Sequence, residues 1–220
     1  MLCLTQFATR KTLAHVEDIF LIVGLGNPGA DYAKTRHNAG FALVETLAAR
    51  WGAAWADERK FMARVARAKR KGKRVWLCQP QTFMNACGET VRAIMDFYQL
   101  PRPWPGLLVA VDDADLPLGE IRLRAEGGSG GHHGLESVAR HLGTQAFARL
   151  RLGIGRQDGA REITDYVLSR FSADEAALME KVLGRAADQV ECWLDAGTEK
   201  AMNEFNGNID QLNKLNESNQ

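Results

Sequence analysis

Apolar and polar positions alternate along this chain in a way that separates strands from helices. Two unbroken apolar runs, Ile19–Val23 and Leu107–Val111, have the length and branching of buried strands. Shorter patterns at Ile121–Arg124 and Leu150–Ile154 predict two more. Residues 61–70 and 74–79, split by Lys71-Gly72-Lys73, predict a hairpin turning at Gly72, with Pro80 closing its second strand. Helical spacing appears in residues 38–51, with Phe41, Leu43, Val44, Leu47 and Ala48 on one face. Asn38 is placed to cap that helix and Gly52 to stop it. A second helix is predicted to start near Cys87 or Gly88, with Val91, Ile94, Met95 and Tyr98 on its buried face. Further helices are expected over about 134–142 and 174–194, with residues 163–167 leading into the last. Pro101, Pro103 and Pro105 form a stiff connector.

Strands alternating with helices, with no internal repeat or linker, predict a single α/β domain: a twisted mixed sheet flanked by helices. The expected bounds are an extension over 1–18, the domain over 19–206 and a polar, disordered tail over 207–220. The 220 residues, 45% of them apolar, suffice for one sizeable core. No apolar run approaches the ~20 residues of a membrane span, and the first residues lack a signal-peptide apolar block. The four cysteines form no C-x-x-C pair, which fits free thiols in a reducing cytosol.

The formal net charge is +1, so there is no global attraction to nucleic acid. Between Arg59 and Arg74, however, the chain is basic without one acid. That run is either a local polyanion contact or a solvated hairpin.

Candidate chemistry gathers around strand ends. Gly24-Leu25-Gly26-Asn27-Pro28-Gly29 fits G-x-G-x-x-G, so dinucleotide binding is considered. Against it, Asp31-Tyr32 follows where an apolar helix face should begin, and the position for a ribose-binding acid falls inside a helix at Glu45. His37 lies between Arg36 and Asn38 in a segment with little apolar content. A lone histidine is more often structural, but Asp112 ends an apolar strand, and Asn27 and Asn85 sit in polar loops. A carboxylate bonded to one ring nitrogen orients a histidine, leaving the other to take a proton. Side-chain amides can donate to an oxyanion. No nucleophile elbow and no metal-ligand spacing is present, which leaves water as the nucleophile.

The motifs LIVGLGNPGADYAKTRHNAGF, QPQTFMNACGE, VDDADLPLGEIRL, GGSGGHHGLESV, LGTQAFARLRLGIGR and DYVLSRFS closely resemble those of the bacterial peptidyl-tRNA hydrolases, in the same order from about Leu21 to Phe205. The resemblance implies a monomeric cytoplasmic esterase, without metal or cofactor, that cleaves peptide from the 3′-terminal ribose of tRNA and binds the acceptor stem and 3′ end. Position by position, His37 matches the catalytic base and Asp112 the aspartate that orients it. Asn27 and Asn85 match amides that hold the peptide and support the carbonyl. Phe83 and Met84 would line the peptide groove, and Tyr32 matches an aromatic side chain near the site. Arg124 and Arg151 match the pair that clamps the 5′-phosphate; from the sequence alone they read as solvated strand ends. His133 stands where the family usually has asparagine, a departure that puts an imidazole in place of an amide. Some relatives serve as non-catalytic RNA-binding splicing factors, and that alternative stays open here. A lid over 157–165 is a further expectation.

Overall fold

The computed structural model describes residues 19–156 and 163–209. The expected extension over 1–18, most of the expected lid and the tail from 210 onward lie outside the described residues.

The first apolar run is strand β1 (Ile19–Gly24), followed by helix α1 (Ala39–Trp51). A short strand β2 (Trp55–Glu58) precedes the hairpin of β3 (Ala63–Arg70) and β4 (Lys73–Pro80). Lys71 and Gly72 both take positive φ in its two-residue turn, which matches the twist of the strands they join. Then come α2 (Cys87–Phe97), β5 (Leu107–Asp113), β6 (Glu120–Arg124), α3 (His133–Leu142) and β7 (Ala148–Gly153). The chain closes with α4 (Ile163–Val167), α5 (Ala173–Ala196), α6 (Thr198–Phe205) and β8 (Gly207–Asn208).

The eight strands form one sheet in the order β2-β3-β4-β1-β5-β7-β6-β8. β4, β1, β5 and β7 run parallel at its centre, and antiparallel pairs flank them on both sides. Strand alternation divides the core in two. Ile22, Leu77, Leu108 and Leu150 pack with Leu43, Leu47, Val182 and Trp193 on the face covered by α1 and α5. Leu21, Val23, Val109 and Val111 pack with Val91, Ile94, Leu135 and Val138 on the face covered by α2 and α3. Each such fully buried aliphatic contributes roughly 1.5–3 kcal/mol.

β1 lies between β4 and β5, to which the chain returns after separate crossovers, so a crevice opens beyond their carboxyl ends. Two glycines let α1 sit tight against that end. A Cβ on Gly24 would lie 2.1 Å from the Gly40 carbonyl oxygen, and one on Gly40 2.4 Å from that of Ala110. A Cβ on Gly26 would meet the Phe41 ring at 2.8 Å. The G-x-G pattern is therefore consumed by strand–helix packing, and no phosphate cradle is formed there.

β2, α6 and β8 are additions to the elements expected from the pattern. The sheet also continues two residues past the point where the polar tail was expected to begin, because Gly207 and Asn208 pair with Ile121 and Glu120. In the basic hairpin several of the charges are paired within the chain. Arg67 bonds Glu58, Arg70 bonds Glu191 at 3.1 Å, Lys71 bonds Asp195, and Lys73 donates to the Leu194 carbonyl. No helix among the described residues is long and apolar enough to cross a membrane.

Candidate active site

Thr35 leads into a 3₁₀ turn, Arg36–Asn38, whose three residues divide the work. Arg36 is the anchor. Buried at 4% exposure, its Nη2 donates to both carboxylate oxygens of Glu175 at 2.9 and 2.8 Å, and its Nε to Ser169 Oγ at 3.2 Å. Asn38 is the brace. Its Oδ1 accepts from the Asn27 backbone N–H at 2.8 Å, and its Nδ2 donates to the Asn27 carbonyl at 3.0 Å. That double bond explains why Asn38 does not cap α1 through its side chain, as the sequence had suggested.

His37, held between the two, places Nδ1 2.9 and 3.0 Å from the oxygens of Asp112. Asp112 is 4% exposed at the end of β5. A second histidine reaches it: His132 Nε2 lies 3.1 Å from Asp112 Oδ1. His132 is also the residue that caps α3, its Nδ1 accepting from the backbone N–H of Gly134 at 3.1 Å and Leu135 at 3.4 Å. An imidazole that accepts at Nδ1 carries its proton on Nε2, so His132 donates to Asp112. Burial alone would raise the Asp112 pKa; the hydrogen bonds from His132 and His37 outweigh it and hold the carboxyl well below its usual range. Asp112 is thus a carboxylate, His37 donates to it from Nδ1–H, and the lone pair of His37 Nε2 is left for chemistry.

These side chains border a cavity of about 380 Å³, walled by Asn27 on one side, the Gly130-Gly131 loop and His133 on another, and Ile163, Thr164, Val167 and Leu168 on a third. Asn27 is oriented by a bond from the Met84 backbone N–H to its Oδ1 at 3.0 Å, which leaves its Nδ2 hydrogens as donors. Arg151 does border the cavity but is already engaged. It donates to Asp113 at 2.8 Å and to the carbonyls of Gly128 and Ser129 at 2.9 and 3.1 Å. It therefore holds the glycine loop instead of standing free. Arg149 does the same from beneath, donating to the carbonyls of Gly127, Gly128, Gln145 and Phe147. Burial pulls its guanidinium down to about 10.

Other residues named from the sequence make no hydrogen bond to His37, Asp112 or His132. Met84 is buried, packed under Gly134, where a Cβ would come within 2.5 Å of its sulfur. Asn85 and Phe83 are exposed and do not border the cavity; nor does half-buried Tyr32. His133 points outward at 77% exposure and bonds Glu136 at 3.2 Å. Arg124 is exposed at the end of β6 and forms no ion pair among the described residues. His132 and Arg36 were missed. The signal available for His132 was its place directly before a helix, a capping position.

His37, Asp112 and His132 also bring three ligand atoms within 4.8 Å of one another, the group among the described residues best able to hold a metal ion. In the present arrangement those atoms are bonded to each other.

A model of the peptidyl-tRNA hydrolase family matches residues 21–214. The chain is 48% identical over 186 residues to the peptidyl-tRNA hydrolase of Synechococcus sp. (strain JA-3-3Ab), covering 84% of this chain and 82% of that one. It is 46% identical over 186 residues to that of Geobacillus kaustophilus (strain HTA426), covering 84% and 98% respectively. Among solved structures, peptidyl-tRNA hydrolase from Acinetobacter baumannii aligns with a TM-score of 0.81 at 38% identity, over 89% of this chain and 98% of that one.

Proposed function

The chain belongs to the peptidyl-tRNA hydrolase family and is a carboxylic ester hydrolase acting on peptidyl-tRNA; we propose that His37 is the base of that reaction. His37 Nε2 takes a proton from water as its oxygen bonds to the ester carbonyl carbon. Asp112, kept ionised by its two imidazole donors, stabilises the imidazolium that forms. Asn27 Nδ2 donates to the oxyanion. Collapse breaks the ester C–O bond, and the proton on His37 passes to the departing ribose oxygen. The observation that carries this reading is the donor relation between His37 Nδ1 and a buried carboxylate, which leaves Nε2 as an acceptor facing the cavity.

Exposed Arg124 and loop-bound Arg151 are read as the face that meets the tRNA phosphate, with Asn85, Phe83, Tyr32 and His133 flanking the peptide and acceptor end. Their support is position: all but Arg124 stand on the loops that lead to or border the site, or on the β7 strand beside it. The hydrolase domain is taken as 19–206 with the Gly207–Asn208 strand added. A monomer without metal or cofactor, working in the cytoplasm, is the simplest setting. Cys78, Cys87 and Cys192 as free thiols agree with a reducing compartment. A non-catalytic RNA-binding role has no use for an imidazole oriented by a buried carboxylate.

The test is hydrolysis of an N-acetylated aminoacyl-tRNA. His37→Ala should lower kcat by on the order of 10²–10⁴-fold. Wild-type turnover by that variant would remove the base from this scheme.

A further inference from the structure

Arg36 touches three parts of the molecule at once. Its backbone N–H donates to the Ser169 carbonyl at 3.0 Å, next to a bridge between Thr35 and Arg170. Its guanidinium lies between the rings of Tyr166 and Phe171, 4.6 Å from each centroid, and its Nη1 approaches the Ile154 carbonyl at 3.5 Å, which also accepts from Tyr166 Oη at 2.9 Å. Its Nη2 meets both oxygens of Glu175, whose carboxylate also accepts from the Ser172 N–H at 2.8 Å in the capping box that starts α5. Tyr166 and Ser169 belong to the same segment as Ile163, Thr164, Val167 and Leu168, which wall the cavity. The wall, the start of α5 and the turn carrying His37 are thus tied through one side chain.

We infer that Arg36 is a positioning residue that couples the cavity wall to the placement of His37. The inference rests on the base role assigned to His37. A lysine cannot replace it: a single ammonium keeps at most the contact to Glu175 and loses the simultaneous bond to Ser169 and the stacking between two rings. Displacing a reacting group by about 1 Å can cost roughly 10²-fold, so loosening this tie should reach kcat through His37 and KM through the wall.

Arg36→Lys is therefore expected to lower kcat about 10-fold or more and to raise KM for N-acetylated aminoacyl-tRNA. Glu175→Gln, which retains a side chain able to complete the capping box, should move both in the same direction by about 3-fold. The discriminating arm places Arg36→Lys in a His37→Ala background. There the kcat loss should shrink below about 2-fold, because residues acting through one group are not additive, while the KM increase persists. A purely structural role would give the same fold-loss of kcat in both backgrounds and overturns the inference, as does wild-type kcat and KM in folded Arg36→Lys. Should Arg36→Lys not fold, Glu175→Gln decides by the same comparison. Should His37→Ala alone retain wild-type turnover, the base role and the kcat half of the coupling both fall.

Discussion

Glu175, near the N-terminal end of α5, receives Arg36; Glu191 and Asp195, near the C-terminal end, receive Arg70 and Lys71, while Lys73 donates to the Leu194 carbonyl. Each end gathers charge, but the purposes differ. The far end is a helix terminus with no basic residue of its own in its last turn. The hairpin supplies the missing cations to its carbonyls and dipole. The near end uses one ion pair, buried on its arginine side, to fix the residue beside His37. At 1.5 Å per residue, the 20 positions from Glu175 to Asp195 put the two clusters about 30 Å apart. The turn end of the basic hairpin therefore lies far from the crevice, with Arg70, Lys71 and Lys73 engaged by the end of α5. The lesson is that charge density marks a site less well than charge held in an orientation.

The largest expected effect separates the two regions directly. Asp112→Asn should lower kcat by on the order of 10²–10⁴-fold, because an amide neither fixes the Nδ1–H tautomer of His37 nor stabilises its imidazolium. Lys71→Ala with Lys73→Ala should leave kcat within 2-fold of wild type, read in the same hydrolysis assay with N-acetylated aminoacyl-tRNA. A substantial loss in the lysine variant would erase the distinction.

The RNA face comes next. Arg124→Glu should raise KM for peptidyl-tRNA several-fold and flatten the slope of log KM against log salt by about 1. Reversing charge at Lys71 should alter neither. An equal response from both would return the hairpin to the binding surface.

Smaller still is the effect on stability. The lysine double variant should lose about 0.3–1 kcal/mol, the range for cations at a helix C-terminus, measured by urea unfolding and reduced by salt. The pH dependence of Asp112 has a definite sign. Its folded pKa is depressed, so it contributes stability above the unfolded carboxylate value near ~3.9, and that contribution is lost as pH falls through the folded value. The stability gap between wild type and Asp112→Asn should be flat near neutrality and narrow below about pH 4. A gap that narrows instead between pH 6 and 8 contradicts this assignment.

Much of the fold was legible because its central strands are buried on both faces and read as apolar runs. β1 and β5 followed from such runs almost to the residue, and the Gly52 stop appears with a φ of 62°. β2 and β8 were not legible: one is a polar four-residue edge, the other only two residues long. α6 buries only Ala201 fully, too little to show a periodic face. The resemblance brought His37, Asp112 and Asn27 together, and the structure places all three at one crevice. The burial of Met84 was not legible because it depends on the missing side chain of Gly134, fifty positions later. Arg151 looked like a free cation because its partners are Asp113 on the neighbouring strand and two loop carbonyls, none adjacent in sequence. The role of His132 follows from two bonds made at once, one to the helix it begins and one to Asp112.

The most direct test reads the two nitrogens of His37 themselves. In ¹⁵N NMR of the imidazole at neutral pH, Nδ1 should carry the proton and Nε2 should show the shift of an unprotonated ring nitrogen, with both signals altered by Asp112→Asn. A neutral His37 found with its proton on Nε2 would leave no base facing the cavity and contradict the account.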